Sequence, residues 1–435
     1  MDSLLKIVSN KSNFHFRASG SSMNPLLHDQ DIVYLKRTKS QVPKINDIVL
    51  VNKNDTNFIH RLIYESPQNS GTKKYFVTKG DHRITSDEKL DLKDIIGNVL
   101  YIKRGNQIIN LNHLYLIQST LYFQEILKVK KEFENYEINF VFLKGLPLHL
   151  YYEGSHPKRI YADCDILLEN KEIQKINRIF INLGYKKAHT EYSKIHSLLK
   201  NKLTEISYYK HVNNFPIIFD VHFEPVFMMN QIGRLDEIYP QKLINEMTRI
   251  FLSEKKIISI KGEKLPILSP VNLFMYLSLH LFHHNFHEVF RLSLIRTVIN
   301  KHKLFLSTNY VNKLQEVTEK LKINNYLYPT LLLLRKYYAT SVPIKLVKSL
   351  KPEDKKMDYI LHMIDSINIF DGEDRIKAGI TRFRNLFYLS PQPIYRKLTI
   401  IFNISFLYSF QWTVSTKLIL LIRLFFGRLN RLLIR

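Results

Sequence analysis

Asp163 and Asp165 flank a single residue, Cys164, at the start of an apolar run. Asp220 sits inside another such run, Ile217-Ile218-Phe219-Asp220-Val221-His222-Phe223. Alternate residues of a strand point to one face, so Asp163 and Asp165 project together and Cys164 projects away. A third carboxylate from a neighbouring strand completes a site able to hold divalent cations on phosphate oxygens, which nucleotidyl transfer requires. Asp220 is the candidate. Upstream, Lys144-Gly145 ends one apolar run and opens a helical one. Backbone N–H groups and a lysine at such a junction can meet phosphate. An Asp-x-Asp pair by itself is common, so the surrounding set matters more than the pair.

A second set is nucleophilic. Ser22 lies in Gly20-Ser21-Ser22-Met23-Asn24-Pro25, a turn that can present its hydroxyl outward. A serine nucleophile needs a base within hydrogen-bond reach. His60 lies in the β-type run Phe58-Ile59-His60-Arg61-Leu62-Ile63, and Val77 to Asp87 supplies two acids, Asp81 and Asp87. Most serines in such turns are structural, and again only the combination points to chemistry.

Taken in order, Gly20/Ser22-Met23/Pro25, Asp47-Ile48-Val49, His60-Arg61-Leu62 and Thr78-Lys79-Gly80-Asp81 with Asp87 resemble the signal peptidase I family in its archaeal and endoplasmic-reticulum form. The resemblance covers residues 14–102. It implies Ser22 as nucleophile, His60 as base and Asp87, or else Asp81, as the acid that orients His60. The Ser22 N–H would help to bind the oxyanion. An imidazole suits the base role near neutral pH. Gln30-Asp31 and Asn46-Asp47 stand where that family has Gly-Asp, and residues 1–22 lack an apolar signal or anchor run.

Phe142-Leu143-Lys144-Gly145, Arg159, Asp163-x-Asp165-Ile166-Leu167-Leu168, Gly184-Tyr185 and Asp220-Val221-His222 resemble the uncharacterised nucleotidyltransferase family of the polymerase-β superfold. This second resemblance covers residues 115–300. It implies Mg²⁺-dependent transfer of a nucleotide from an NTP to a hydroxyl or phosphate. Asp163, Asp165 and Asp220 would be the ligands of a two-metal site. Lys144, Gly145 and Arg159 would bind the nucleotide phosphates, and His222 would either support a ligand or simply be packed. Phe223 stands where that family commonly has Trp. His280, His283, His284 and His287 have ligand-like spacing but no accompanying carboxylate, so a metal cluster and a packed helix both stay open.

The elements that must position these residues follow from periodicity. Short apolar runs punctuated by Asn, Asp, Gly, Pro and Ser predict a mainly β domain over 1–108. Strands at 138–143, 164–168 and 216–223, with helices at 116–133 and after Gly145, predict an α+β domain over 109–232. The chain reads as helical from about Leu235, with candidate helices at 276–300, 311–321 and 358–368. That extension runs over 233–390, and 391–435 forms a basic apolar tail. The fold class is α+β multidomain: a mainly-β signal-peptidase-like domain, a polymerase-β-like nucleotidyltransferase domain and a helical C-terminal region.

The 435 residues suit two or three domains. The formal net charge of +25 favours an anionic partner, but Lys-rich composition throughout explains it equally. One cysteine excludes an intrachain disulfide and fits a reducing cytoplasm. The tail 391–435 is read as helices packed on the domain, as a peripheral contact with the inner face of a membrane, or as a span. The expected partners are a peptide or protein substrate and a nucleotide. Nucleic acid ranks behind them, because no RNA- or DNA-reading motif is present. The leading expectation is a bifunctional maturation enzyme, a serine endopeptidase fused to a nucleotidyltransferase. A non-catalytic peptide- and nucleotide-binding protein with vestigial sites is the alternative, followed by a nucleic-acid-modifying nucleotidyltransferase.

Overall fold

The computed structural model describes residues 13–38, 42–67, 73–161, 163–188, 204–225 and 235–403. The N-terminal strands are β1 (Asn13–Arg17), β2 (Ile32–Arg37), β3 (Ile48–Lys53), β4 (Thr56–Glu65), β5 (Phe76–Lys79), β6 (Ile95–Arg104) and β7 (Gln107–Asn110). They form an antiparallel sheet in the order β1-β2-β6-β3-β4-β5, with β7 on β6. β3 is buried on both faces. Ile48 and Leu50 enter one small core with Met23, while Val49 and Val51 enter another with Leu62 and Phe76. The Asn54-Asp55 turn joins β3 to β4 with positive φ at both residues, the handedness that matches strand twist.

Helix α1 (Leu111–Asn135) leads from this sheet into a second one, capped by the Asn110 side chain on the N–H groups of Asn112 and His113. The second sheet contains β8 (Phe140–Lys144), β9 (Asp163–Leu168), β10 (Lys186–Lys187), β11 (Glu205–Val212), β12 (Phe215–His222), β13 (Lys255–Ile260) and β14 (Glu263–Leu268). Its order is β10-β11-β12-β9-β8-β14-β13, with β12/β9 and β14/β8 parallel. Helices α2 (Leu146–Glu153), α3 (Ile173–Asn182) and α4 (Gln241–Ser253) lie between these strands in the chain. Among the described residues eight more helices follow, beginning with α5 (Pro270–His283), α6 (Val289–His302), α7 (Thr308–Leu321) and α8 (Asn324–Tyr338). One continuous apolar core joins the second sheet to these helices.

The expectation of an all-helical chain from Leu235 is corrected by the β13–β14 hairpin, which extends the second sheet. Lys261 and Gly262, both at positive φ, make its two-residue turn. Two alternating runs separated by such a pair favour a hairpin over a helix. The helix expected at 276–300 is two helices. Asn285, Phe286 and Glu288 adopt positive φ between them. Phe286 is fully buried, and the Asn285 amide donates to Glu373 Oε1 (2.6 Å) and Ala378 O (3.1 Å). These contacts hold a bend that a continuous helix could not make.

Among the described residues no helix is long and apolar enough to cross a membrane. The tail reading falls mostly outside the described residues, which end at Asn403.

Candidate functional site

The two sheets each carry one of the side-chain sets. In the second sheet, β9 is central. Asp165 pairs in register with Asp220 on parallel β12 and with Lys144 on β8. The register therefore sets Lys144, Asp165 and Asp220 in a row across three strands, with Asp163 two residues up the same face. Oxygens of Asp163, Asp165 and Asp220 all lie within 4.8 Å of one another. Cys164 points into the core and is fully buried, which pushes its thiol well up.

Lys144 neutralises this cluster. Its Nζ lies 2.9 Å from Asp165 Oδ2 and 3.2 Å from Asp163 Oδ2. Burial works against the charge of Lys144, but the two aspartates raise its pKa nonetheless. Burial also opposes ionisation of Asp165, yet Lys144 and His222 hold its carboxyl below the usual range. Asp220 goes the other way. Burial, with Asp165 and Glu205 nearby, pushes it up to about 7, although Ser207 Oγ donates to its Oδ1 at 2.6 Å. His222 Nε2 is 2.9 Å from Asp165 Oδ1, and its Nδ1 is 3.5 Å from Glu205 Oε2. Burial opposes protonation of His222, and Glu205 and Asp165 overcome it, raising its pKa.

Gly145 follows at φ +95°, and an added Cβ there would lie 3.0 Å from Asp163 O. Only glycine lets the chain leave β8 so close to β9 and turn into α2. Arg159 stands elsewhere. Its guanidinium lies 4.5 Å from the Tyr161 ring and 4.6 Å from the Phe290 ring, and Nη2 donates to Tyr161 Oη at 3.0 Å. None of these partners is an aspartate of the cluster.

The four histidines do not converge on a metal. His280 Nδ1 is 3.2 Å from Arg291 Nη1, and His284 Nδ1 is 3.2 Å from Glu373 Oε2. Among the described residues the aspartate trio alone meets metal-holding geometry. Its hard carboxylate oxygens and the ammonium already drawn to them fit Mg²⁺.

In the first sheet, Met23 is buried in the core and leaves Ser22 half-buried at the turn. His60, on β4, is buried against Phe58 at 4.9 Å between ring centres. Its Nε2 lies 3.1 Å from Ser22 Oγ, and its Nδ1 lies 2.5 Å from Asp87 Oδ2. With Nδ1 protonated, Ser22 donates to Nε2 and His60 donates to Asp87. Thr78 Oγ1 also donates to Asp87 Oδ2 (2.7 Å), and Asp87 N–H donates to Thr78 O (2.9 Å). The loop between them clamps the serine, since His82 N–H donates to Ser22 O at 2.8 Å.

Asp81, the second acid considered for His60, is corrected. It makes a two-pronged pair with Arg61, Nε to Oδ1 at 2.7 Å and Nη2 to Oδ2 at 2.6 Å. Alternation on β4 turns Arg61 to the face away from His60, and Asp81 goes with it. Arg61 Nη1 also donates to Lys158 O at 2.9 Å, so this pair ties the first sheet to the segment that leads into β9.

Several contributing residues carry no motif. Ser207 and Glu205 act through strand pairing that the sequence does not display. Asp371 lies 284 positions beyond Asp87 in the chain, yet its Oδ1 accepts from both Ser86 N–H and Ser86 Oγ at 2.8 Å.

Against this geometry, the comparisons with known proteins are specific in one place. The model of the family described as "uncharacterised nucleotidyltransferase" matches residues 112–339, just over half of the chain. The chain belongs to that nucleotidyltransferase family. The match takes in β8, β9 and β12 with their three aspartates, and runs through α8. It does not extend to the sheet that carries Ser22 and His60. No curated protein and no solved structure matches the chain.

Proposed function

We propose that the protein is a maturation-type enzyme with two centres, a Mg²⁺-dependent nucleotidyltransferase site at Asp163, Asp165 and Asp220 and a serine endopeptidase site at Ser22. The observation that carries the first is the carboxylate trio on adjacent strands within the matched family segment. Support for the second is geometric: the unbroken hydrogen-bond relay Ser22–His60–Asp87.

At the first centre the three aspartates hold the cation. Bound Mg²⁺ supplies charge neutralisation on the triphosphate and lowers the pKa of the attacking hydroxyl. Asp220, pushed up to about 7 by burial with Asp165 and Glu205 nearby, would hold the cation as a carboxylate. Lys144, the counter-ion of Asp163 and Asp165, and the Gly145 backbone would meet the phosphates. His222 stays on Asp165 and fixes the orientation of that ligand. An acceptor oxygen attacks the α-phosphorus, the bond to the bridging oxygen of the β-phosphate breaks, and pyrophosphate leaves.

At the second centre His60 takes the Ser22 proton as Oγ attacks a peptide carbonyl. The amine leaves with that proton, and water then releases the acyl group as a carboxylate. Asp87 keeps Nδ1 protonated and steadies the imidazolium. A peptide or protein is the substrate class at this centre. The tail 391–435 would add peripheral contact with an anionic membrane surface.

The test is mass analysis of small products from cells expressing wild type, Ser22→Ala or Asp163→Ala. Each variant is expected to lose its own product. Three identical profiles would remove the two-centre reading.

A further inference from the structure

A cavity of about 510 Å³ lies between the first sheet and the segments at Leu114-Tyr115, Arg159-Ile160 and Glu288–Phe290, within the size range of small-ligand sites. It is not the Ser22 cleft. On β4, His60 faces the serine, while Arg61 and Ile63, on the opposite face, line the cavity. Gly80 repeats the pattern. A Cβ there would point at Ser22 and His60, whereas its neighbours Lys79 and Asp81 line the cavity.

The facing wall belongs to the nucleotidyltransferase domain. Arg159 and Ile160 precede Asp163 by four and three positions, and Phe290 opens α6. Phe290 sits between two guanidinium groups. Its ring contacts Arg159 at 4.6 Å on one side and Arg291 at 4.9 Å on another.

The lining carries four cations, Arg61, Lys79, Arg104 and Arg159, against two carboxylates, Asp81 and Glu288. Arg61 is matched by Asp81, and Arg104 by the buried Asp31 at 2.8 Å. Arg159 has no carboxylate within salt-bridge distance among the described residues. Two aromatic rings hold its guanidinium instead, with Nη2 alone donating to Tyr161 Oη. A stacked guanidinium without a counter-ion keeps its planar donor fork available to a carboxylate. Leu26, Ile63 and Phe290 offer apolar surface around it.

We propose that this cavity is a ligand chamber that takes a short peptide with apolar side chains whose free carboxylate pairs with Arg159. The proposal rests on the two-centre reading above. Peptide hydrolysis at Ser22 generates a new C-terminal carboxylate, and the first sheet supplies one wall of the chamber. The Ser22 centre thus makes the kind of molecule that the chamber accepts.

The test uses N-acetyl-Ala-Leu-Phe with a free C-terminal carboxylate and the same peptide as its carboxamide. Both are titrated by calorimetry into the full chain, into Arg159→Gln and into Ile160→Trp, which fills the chamber from a partly exposed position. The carboxylate peptide is expected to bind wild type about tenfold or more tightly than the carboxamide. Arg159→Gln should abolish that preference, and Ile160→Trp should weaken both. Equal binding of the two peptides to wild type, no binding of either, or a preference that survives Arg159→Gln overturns the proposal. Titrating Mg²⁺ with NTP into the same samples separates the two claims. Retained nucleotide binding with failed peptide binding overturns the chamber alone, whereas lost nucleotide binding in wild type overturns the nucleotidyltransferase reading.

Discussion

Gly80 stands against Ser22 so closely that a Cβ on it would lie 2.6 Å from Ser22 O and 3.0 Å from His60 Nε2. The first contact is to backbone and the second to a buried ring, and neither can swing aside. Gly80→Ala should therefore open the Ser22–His60 hydrogen bond while costing the fold about 1–3 kcal/mol, the usual range for overpacking. The check is the rate of covalent labelling by a fluorophosphonate probe. Labelling is expected in wild type, absent in Ser22→Ala and slowed tenfold or more in Gly80→Ala. Wild-type rates in Gly80→Ala would show that the geometry at Ser22 is irrelevant to its reactivity.

The two acids of the Val77–Asp87 segment should separate cleanly. Asp87 accepts from His60, whereas Asp81 is engaged by Arg61. Asp87→Asn should slow labelling by about 10³–10⁴-fold through loss of the correct tautomer. Asp81→Asn should leave labelling within a few-fold of wild type and lower stability by about 1–3 kcal/mol, because a mostly buried guanidinium loses its partner. Urea unfolding beside the labelling assay reads both. The reverse pattern would reassign the acid.

Lys144 is the cation of the aspartate cluster when no metal is bound, at 2.9 Å from Asp165. Lys144→Met leaves carboxylates facing one another. Its melting temperature without metal is expected to fall below wild type, and its gain on adding Mg²⁺ is expected to exceed that of wild type. Thermal unfolding with and without Mg²⁺ measures both. An unchanged metal response would mean that the cluster does not take the ion.

Why some of this was legible and some was not follows from where the information sits. Asp163-Cys164-Asp165 announces itself because strand alternation is local, and Asp220 because it interrupts an apolar run. Ser22, His60 and Asp87 stood out as parts of short ordered boxes. Glu205 and Ser207 did not, since they reach His222 and Asp220 only through the β11–β12 pairing. The β13–β14 hairpin was missed because Ile257, Ile258 and Ile260 also suit a helix, and only the Lys261-Gly262 turn marks it. The bend at Asn285 depends on Glu373, far along the chain, and no local pattern encodes it.

His149, on α2, is driven down to about 4, first by burial and then by Arg159. Its unfolded value is about 6.5, so the unfolded chain binds more protons between those two pH values. Stability is therefore full above about pH 6.5 and falls as the pH drops toward 4. His149→Gln should lose less stability than wild type between pH 7.5 and pH 5. Urea midpoints at the two pH values decide it, and equal losses would show that His149 does not titrate as a buried neutral base.

The central claim, a live nucleotide site at the aspartate trio, is tested most directly by calorimetric titration of Mg²⁺ with each of the four NTPs into wild type and Asp163→Ala. Asp163 keeps 43% of its side chain accessible, so its removal should leave the fold intact. Metal-dependent binding of at least one NTP by wild type, lost in Asp163→Ala, is the expected result. Equal binding by both proteins, or none by folded wild type, would contradict the account.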